Sequence, residues 1–132
     1  MHAMSNLEYS FLANELSRLV GKHLSKVRKV SEKVYRVKIG TSEIICEPGV
    51  RMHATKYIEP AQKDRFVEKV EKELDNAKLL SVEQINNDRI IAFNFNLGTL
   101  VFEMFGKGNI ILHDQDGRFL LRTLFEDHLP LR

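Results

Sequence analysis

The sequence predicts an α+β domain: an antiparallel β-sandwich or open barrel with two covering helices. Three observations carry that reading. Short runs of alternating apolar and polar residues recur along the chain, the period of two that marks strands. Brief turns rich in glycine, asparagine or aspartate join them, which suits hairpins rather than crossovers. Two longer segments instead repeat their apolar residues at helical spacing. At 132 residues the chain is one domain by default, assigned to residues 4–125, with 126–132 as an ending or the start of a linker. A chain of this size buries roughly two-thirds of its unfolded surface, enough for one core.

Met1-His2-Ala3 ahead of Met4 reads as a remnant of expression, with Met4 the natural start. Ser5-Asn6-Leu7-Glu8 has the form of a capping box, in which a Ser hydroxyl and a Glu carboxylate satisfy each other's backbone donors. Leu7, Phe11, Leu12, Leu16, Leu19 and Val20 then form one apolar stripe, and Gly21 ends a first helix over residues 6–20. Three β-branched runs follow at 23–30, 34–39 and 43–47 as an antiparallel meander, and 50–55 adds a short strand carrying Arg51 and His53. Pro60 is a good first helical residue, so the second helix runs over 60–77 with Phe66, Val67, Val70, Leu74 and Ala77 buried. Its outer face is charged and includes Glu68 and Lys72 at the favourable spacing of four. A strand at 79–85 precedes the most explicit stretch, 86–118. There Ile91, Phe93 and Phe95 alternate with Ile90, Ala92 and Asn94, and Leu100, Phe102 and Met104 repeat the pattern. Ile110 to Leu112 follow the turn Gly106-Lys107-Gly108-Asn109, Asp116-Gly117 marks another hairpin, and 119–124 make the last strand. The total is seven or eight strands.

Composition excludes more than it assigns. Apolar residues are 43% and charged residues 29%, ordinary for a globular domain, and the net charge is only +2. The charge is unevenly placed: between Lys22 and Lys38 there are seven Lys or Arg and one acid, Glu32. These cations alternate with valines, so one face of a strand pair carries a positive stripe, either a solvated edge that blocks aggregation or a contact for a polyanion. Cys46 is the one cysteine, in an apolar run, and packs as a small hydrophobe; a reducing, cytoplasmic setting fits. Neither a membrane span nor a signal peptide is visible.

No strong catalytic motif appears. The five histidines lack metal-ligand spacing, no serine sits in a nucleophile elbow, and no cofactor is expected. The Gly106–Asn109 turn lacks phosphate-loop spacing and leads into a strand; it is a hairpin turn, or a turn whose Lys107 touches an RNA phosphate. At Asp88-Arg89, an arginine at a strand entrance presents a fork to a phosphate or base, held by its neighbouring carboxylate. The plainer alternative is that Asp88 shapes the turn and Arg89 pairs with a surface acid.

The run Asn87-Asp88-Arg89-Ile90-Ile91 with Phe93 and Phe95, then Phe102 to Leu112, resembles the N-terminal domain of the NFACT family. These are ribosome quality-control proteins, once labelled fibronectin-binding. Ser5-Asn6-Leu7-Glu8, Leu19-Val20-Gly21-Lys22, Arg51-Met52-His53-Ala54-Thr55 and Phe66 are similar to other, weaker family patterns. The resemblance implies a non-enzymatic RNA-binding module of a factor that binds the obstructed large ribosomal subunit with its nascent chain. Such a factor recruits tRNA for untemplated C-terminal tailing. It implies a tRNA role for Asp88 and Arg89, and the candidate RNA-binding set is Asp88, Arg89, Lys107, Asn109, Arg51 and His53. No membrane and no small-molecule substrate are expected. The fold it implies is similar to the N-terminal domain of formamidopyrimidine-DNA glycosylases, which makes a DNA-base enzyme one alternative. Those enzymes use a Pro-Glu pair after the initiator Met, where this chain has Ser5-Asn6, and the imine chemistry needs that secondary amine. A fibronectin-binding adhesin, after the old label, is the other alternative.

Overall fold

The computed structural model describes residues 4–55 and 63–123. Residues 1–3, read above as a remnant of expression, the expected helix start at Pro60 and residues 126–132 fall outside them. Helix α1 spans Asn6–Leu16 and tightens into a single 3₁₀ turn, Ser17–Leu19. Four strands follow: β1 Leu24–Ser31, β2 Val34–Ile39, β3 Ser42–Glu47 and β4 Arg51–Thr55. After helix α2 (Arg65–Glu73) come β5 Leu79–Gln84, β6 Ile90–Phe95, β7 Gly98–Glu103, β8 Asn109–Asp114 and β9 Phe119–Arg122. Nine strands, rather than the seven or eight expected, stand among the described residues, and they form two antiparallel meanders, β1-β2-β3-β4 and β5-β6-β7-β8-β9. The two sheets meet edge to edge at the bridge His23–Lys78, and no closed barrel forms among the described residues.

Each sheet turns one row of alternate residues inward. Val27, Tyr35, Val37, Ile39, Ile44, Cys46 and Met52 come from the first sheet; Ile91, Phe93, Phe95, Leu100, Phe102 and Leu112 come from the second. They pack as one core, in which the Phe93 and Phe102 rings meet edge-to-face at 5.2 Å. Cys46 is fully buried with its Sγ 3.8 Å from Met104 Sδ, and burial pushes its thiol well above the ordinary range.

Both helices differ from expectation in detail. The capping box forms as read: Glu8 N–H donates to Ser5 Oγ at 3.2 Å, and Ser5 N–H to Glu8 Oε1 at 2.8 Å. The buried stripe of α1, however, is Tyr9, Leu12, Ala13 and Leu16, continued by Leu19. Leu7 and Phe11 point to solvent at 63% and 67% exposure, and Val20 is also exposed. The reason is that Tyr9 lies seven positions before Leu16 and fills the same line down the helix, rotating Leu7 and Phe11 off the core. Helix α2 begins at N-cap Asp64, whose Oδ1 accepts from Val67 N–H at 2.8 Å. Its other oxygen accepts from the Tyr35 hydroxyl at 3.1 Å, and Phe66 packs edge-to-face on Tyr35. The outer i,i+4 pair is Lys69–Glu73 at 3.1 Å rather than Glu68–Lys72. Glu71 straps the helix to the sheet edge: it accepts from Val27 N–H at 3.2 Å and pairs with Arg28 and Lys63. Burial opposes its ionisation, but the Lys63, Val27 and Arg28 donors together outweigh that and hold its carboxyl below the ordinary range.

Candidate nucleic-acid interface

Four segments converge at one end of the sandwich, tied mostly through their backbones. The chain entering α1 lies against the β3–β4 turn, with Met4 N–H donating to Val50 O at 3.1 Å. Asn6 Nδ2 donates to Asn87 O at 3.1 Å, and Gln84 Nε2 donates to both Asn6 O and Asp88 O at 2.8 Å. The β5–β6 loop is therefore latched to the start of α1. The β3–β4 and β7–β8 turns press together, one from each sheet. A Cβ on Gly49 would stand 2.6 Å from Gly106 O, and one on Gly108 would run into the Pro48 carbonyl carbon and Gly49 N. Only glycine permits that approach, and Gly108 also has φ +80°. Both turns are hairpins, as the sequence indicated for Gly106–Asn109.

The β5–β6 loop places the Asp88-Arg89 pair. Asn86 and Asn87 both take φ +55°, which asparagine tolerates, and Asp88 N–H closes the turn on Ile85 O at 3.0 Å. Asp88 Oδ1 then accepts from the backbone N–H of Arg89 at 2.7 Å. The carboxylate thus shapes the turn and does not grip the guanidinium. Arg89 O accepts from Met104 N–H at 2.7 Å, fixing the residue beside the β7–β8 turn. Its guanidinium has no ion pair or side-chain hydrogen bond among the described residues, so the expected surface acid is absent there. Arg89 is half-buried, and its charge reaches Tyr9, a fully buried residue whose hydroxyl has no hydrogen-bond partner among the described residues. Burial drives that phenol far above its ordinary range, Cys46 adds to the shift, and Arg89 pulls against it.

The other expected residues fall into two groups. Lys107 is exposed on the β7–β8 turn and Asn109 opens β8 opposite Glu103, both at the same end as Arg89. Arg51 opens β4 at that end too, but it is engaged: its Nε donates to Glu47 Oε1 at 3.1 Å, and its Nη1 lies 2.7 Å from His53 Nε2. His53 is one turn of the pleat further along β4, on the outer face opposite Ile45, with Nδ1 3.1 Å from Ala54 O. The two contacts fit a neutral ring that donates from Nδ1 and accepts at Nε2. Sequence reasoning missed Asn6, Gln84 and Tyr9. The first two are ordinary surface residues whose roles exist only across the α1–loop contact; Tyr9 had a signal in its helical spacing to Leu12 and Leu16.

Among the described residues no cluster of three His, Cys, Asp or Glu could hold a metal ion, and no helix is long and apolar enough to cross a membrane. The family model for NFACT N-terminal and middle domains matches residues 9–123. The chain is 32% identical over 123 residues to the ribosome quality control complex subunit NEMF homolog of Drosophila melanogaster, covering 84% of this chain and 12% of that protein. It is 31% identical over 136 aligned positions to ribosome quality control complex subunit 2 of Schizosaccharomyces pombe, covering 91% and 13%. The chain thus spans about an eighth of the length of these relatives. Among solved structures, the N-terminal part of the fibronectin/fibrinogen-binding protein from Streptococcus suis superposes with a TM-score of 0.83 at 21% identity, over 91% of this chain and 53% of that one.

Proposed function

The chain belongs to the NFACT family, and on that footing we propose that it is the RNA-binding module of a ribosome quality-control factor. In this reading it helps hold the obstructed large ribosomal subunit and recruits tRNA for C-terminal tailing, without catalysing a reaction itself. The observation that carries the reading is the Arg89 guanidinium, a half-buried cation with no acid or hydrogen-bond partner among the described residues. A planar fork held at a strand entrance and left without a carboxylate matches the geometry of a phosphate or a base edge. Lys107 and Asn109, on the adjoining turn, supply a second cation and an amide for the same backbone. Arg51, already bound to Glu47, positions this rim rather than leading the contact. Cytoplasmic residence goes with this role.

The test is tRNA binding by the 132-residue chain with Arg89→Ala beside the parent. The variant keeps its melting temperature and loses affinity at least tenfold, about 1.4 kcal/mol, as expected for one charge-assisted contact. Unchanged tRNA affinity would remove Arg89 from the interface.

A second reading follows the name of the Streptococcus suis protein, but a likeness at 21% identity carries the fold alone. Capture on immobilised fibronectin, run beside tRNA, separates the two: retention on fibronectin with no tRNA binding favours the adhesin. Borohydride trapping on an abasic-site oligonucleotide tests the DNA-base enzyme, and a covalent adduct would favour it.

A further inference from the structure

The opposite end of the sandwich gathers lysines that form no side-chain ion pair among the described residues. Six of the seven cations between Lys22 and Lys38, all but Lys33, divide into two sets. Arg28, Lys29 and Arg36 each meet a carboxylate, from Glu71, Asp64 and Glu43. Lys22, Lys26 and Lys38 have no side-chain ion pair or hydrogen bond among the described residues, and they lie together. Lys26 sits directly opposite Lys38 across the β1–β2 ladder, both facing away from the core. Like charges placed directly opposite destabilise a sheet, so this pairing works against the fold. The Lys22 stem lies over the β2–β3 turn, where its Cδ is 2.7 Å from the position a Cβ would take on Gly40, two residues from Lys38.

A fourth lysine arrives from elsewhere in the chain. The segment before β1 pairs with the start of β5: Gly21 N–H donates to Leu79 O, Leu79 N–H to Lys22 O and Leu24 N–H to Ala77 O, each at 2.8 Å. His23 and Lys78 form the bridge between the sheets, which sets exposed Lys78 beside the cluster. The nearby acids are Glu43, opposite Lys38 but paired with Arg36, and Asp75 on the turn after α2. Three separate segments therefore bring four lysines without an ion pair among the described residues to one end, against Glu43, shared with Arg36, and Asp75.

We propose that this corner is a second RNA contact, in which Lys22, Lys26, Lys38 and Lys78 hold the phosphates of double-stranded RNA without regard to sequence. The choice of RNA over an acidic protein segment rests on the ribosome quality-control reading; the charge cluster does not. Flexible ammonium groups suit phosphate contacts, which position a protein without reading bases. The strands between the two ends are mostly six residues, about 20 Å long. The corner therefore engages a different stretch of RNA from the Arg89 end.

The probe is a fluorescent RNA duplex of about 20 base pairs and arbitrary sequence, its binding followed by anisotropy as salt rises from about 50 to 200 mM. Replacing Lys22, Lys26, Lys38 and Lys78 together by Gln lowers affinity at least tenfold at the lower salt. It also makes the dependence of log K on log salt shallower by about 3.6, near 0.9 for each of the four lost phosphate contacts. Arg89→Ala changes that slope by no more than about 1. Lys26→Glu alone separates function from fold: opposite an unchanged Lys38 it forms an attractive pair, so it raises the melting temperature while weakening duplex binding. An unchanged slope in the fourfold variant, or no duplex binding by the parent, overturns the proposal. Displacement of the duplex by polyglutamate of equal charge, more readily than by a second RNA, also overturns it and assigns the corner to an acidic protein segment. Because the Arg89 test reads tRNA and this one reads the duplex, loss of tRNA binding in Arg89→Ala alongside an unaltered fourfold variant would refute this inference alone.

Discussion

The two ends of the sandwich are held in different ways. At the Arg89 end, two glycine turns press backbone on backbone, Gly108 against Pro48 and Gly49, with Met4 N–H on Val50 O, Met104 N–H on Arg89 O and the Asn6 side chain on Asn87 O. At the lysine corner, backbone hydrogen bonds also tie Gly21, Lys22 and Leu24 to Leu79 and Ala77, but what lies over the β2–β3 turn at Gly40 is the flexible stem of Lys22. At the first end, the turn beside Arg89 is pinned by backbone that has little freedom to shift. At the second, the group that crowds the turn is a side chain that can move. The ends thus differ in how much room their turns leave.

The comparison is broken most severely by Gly108→Ala. A Cβ there enters Pro48 and Gly49 backbone, and φ is +80°, so about 3 kcal/mol or more is lost and thermal melting falls by about 10 °C. Gly40→Ala is the matched change at the lysine corner. Its φ of +61° is also unfavourable, but the new Cβ meets only the Lys22 stem, which can move; the same melts show a loss of about 1 kcal/mol. Equal losses at the two glycines would mean that the ends are equally rigid. Ser5→Ala removes the capping box beside the Asn6–Asn87 latch and lowers the urea midpoint by about 1 kcal/mol equivalent. It also speeds amide exchange in the β5–β6 loop more than in the turn holding Gly40.

The sheet edge between the ends gives a smaller, pH-dependent effect. Glu71 has a depressed carboxyl in the folded chain, so its contribution is complete above the ordinary value of 4.5 and is lost as pH falls through the lower folded value. Urea titrations at about pH 6 and about pH 3 show a smaller acid loss in Glu71→Gln than in the parent. Lys78→Gln is expected to move stability by less than about 0.5 kcal/mol, since the lysine is exposed and unpaired. A large loss there would make the corner a structural element.

Much of the fold was legible because strand alternation and turn chemistry are local. Ile91, Phe93 and Phe95 face inward as their spacing said, and Ser5–Glu8 cap the first helix as their identities said. The α1 stripe was misread at Leu7, Phe11 and Val20 because an amphipathic pattern of leucines admits more than one line. Which line is buried depends on where the helix lies over β5, and Tyr9 decided it. Asp88-Arg89 was legible as a pair but not in its arrangement, since a carboxylate beside an arginine can take either the backbone or the guanidinium. The latch from Gln84 and Asn6 fixes the loop in which the backbone is taken.

By itself, the sequence determined the strands, the hairpins, the helix cap and a basic run, all set by neighbours within a few residues. The tertiary structure alone decided that Arg89 would stand beside the Gly106–Asn109 turn with no carboxylate partner among the described residues. It alone decided that Arg28, Lys29 and Arg36 would meet carboxylates while Lys22, Lys26 and Lys38 lay near Lys78. The reason is physical: a charge is paired or left free by whatever distant segment packs beside it, and that information is carried by how the two sheets and two helices pack.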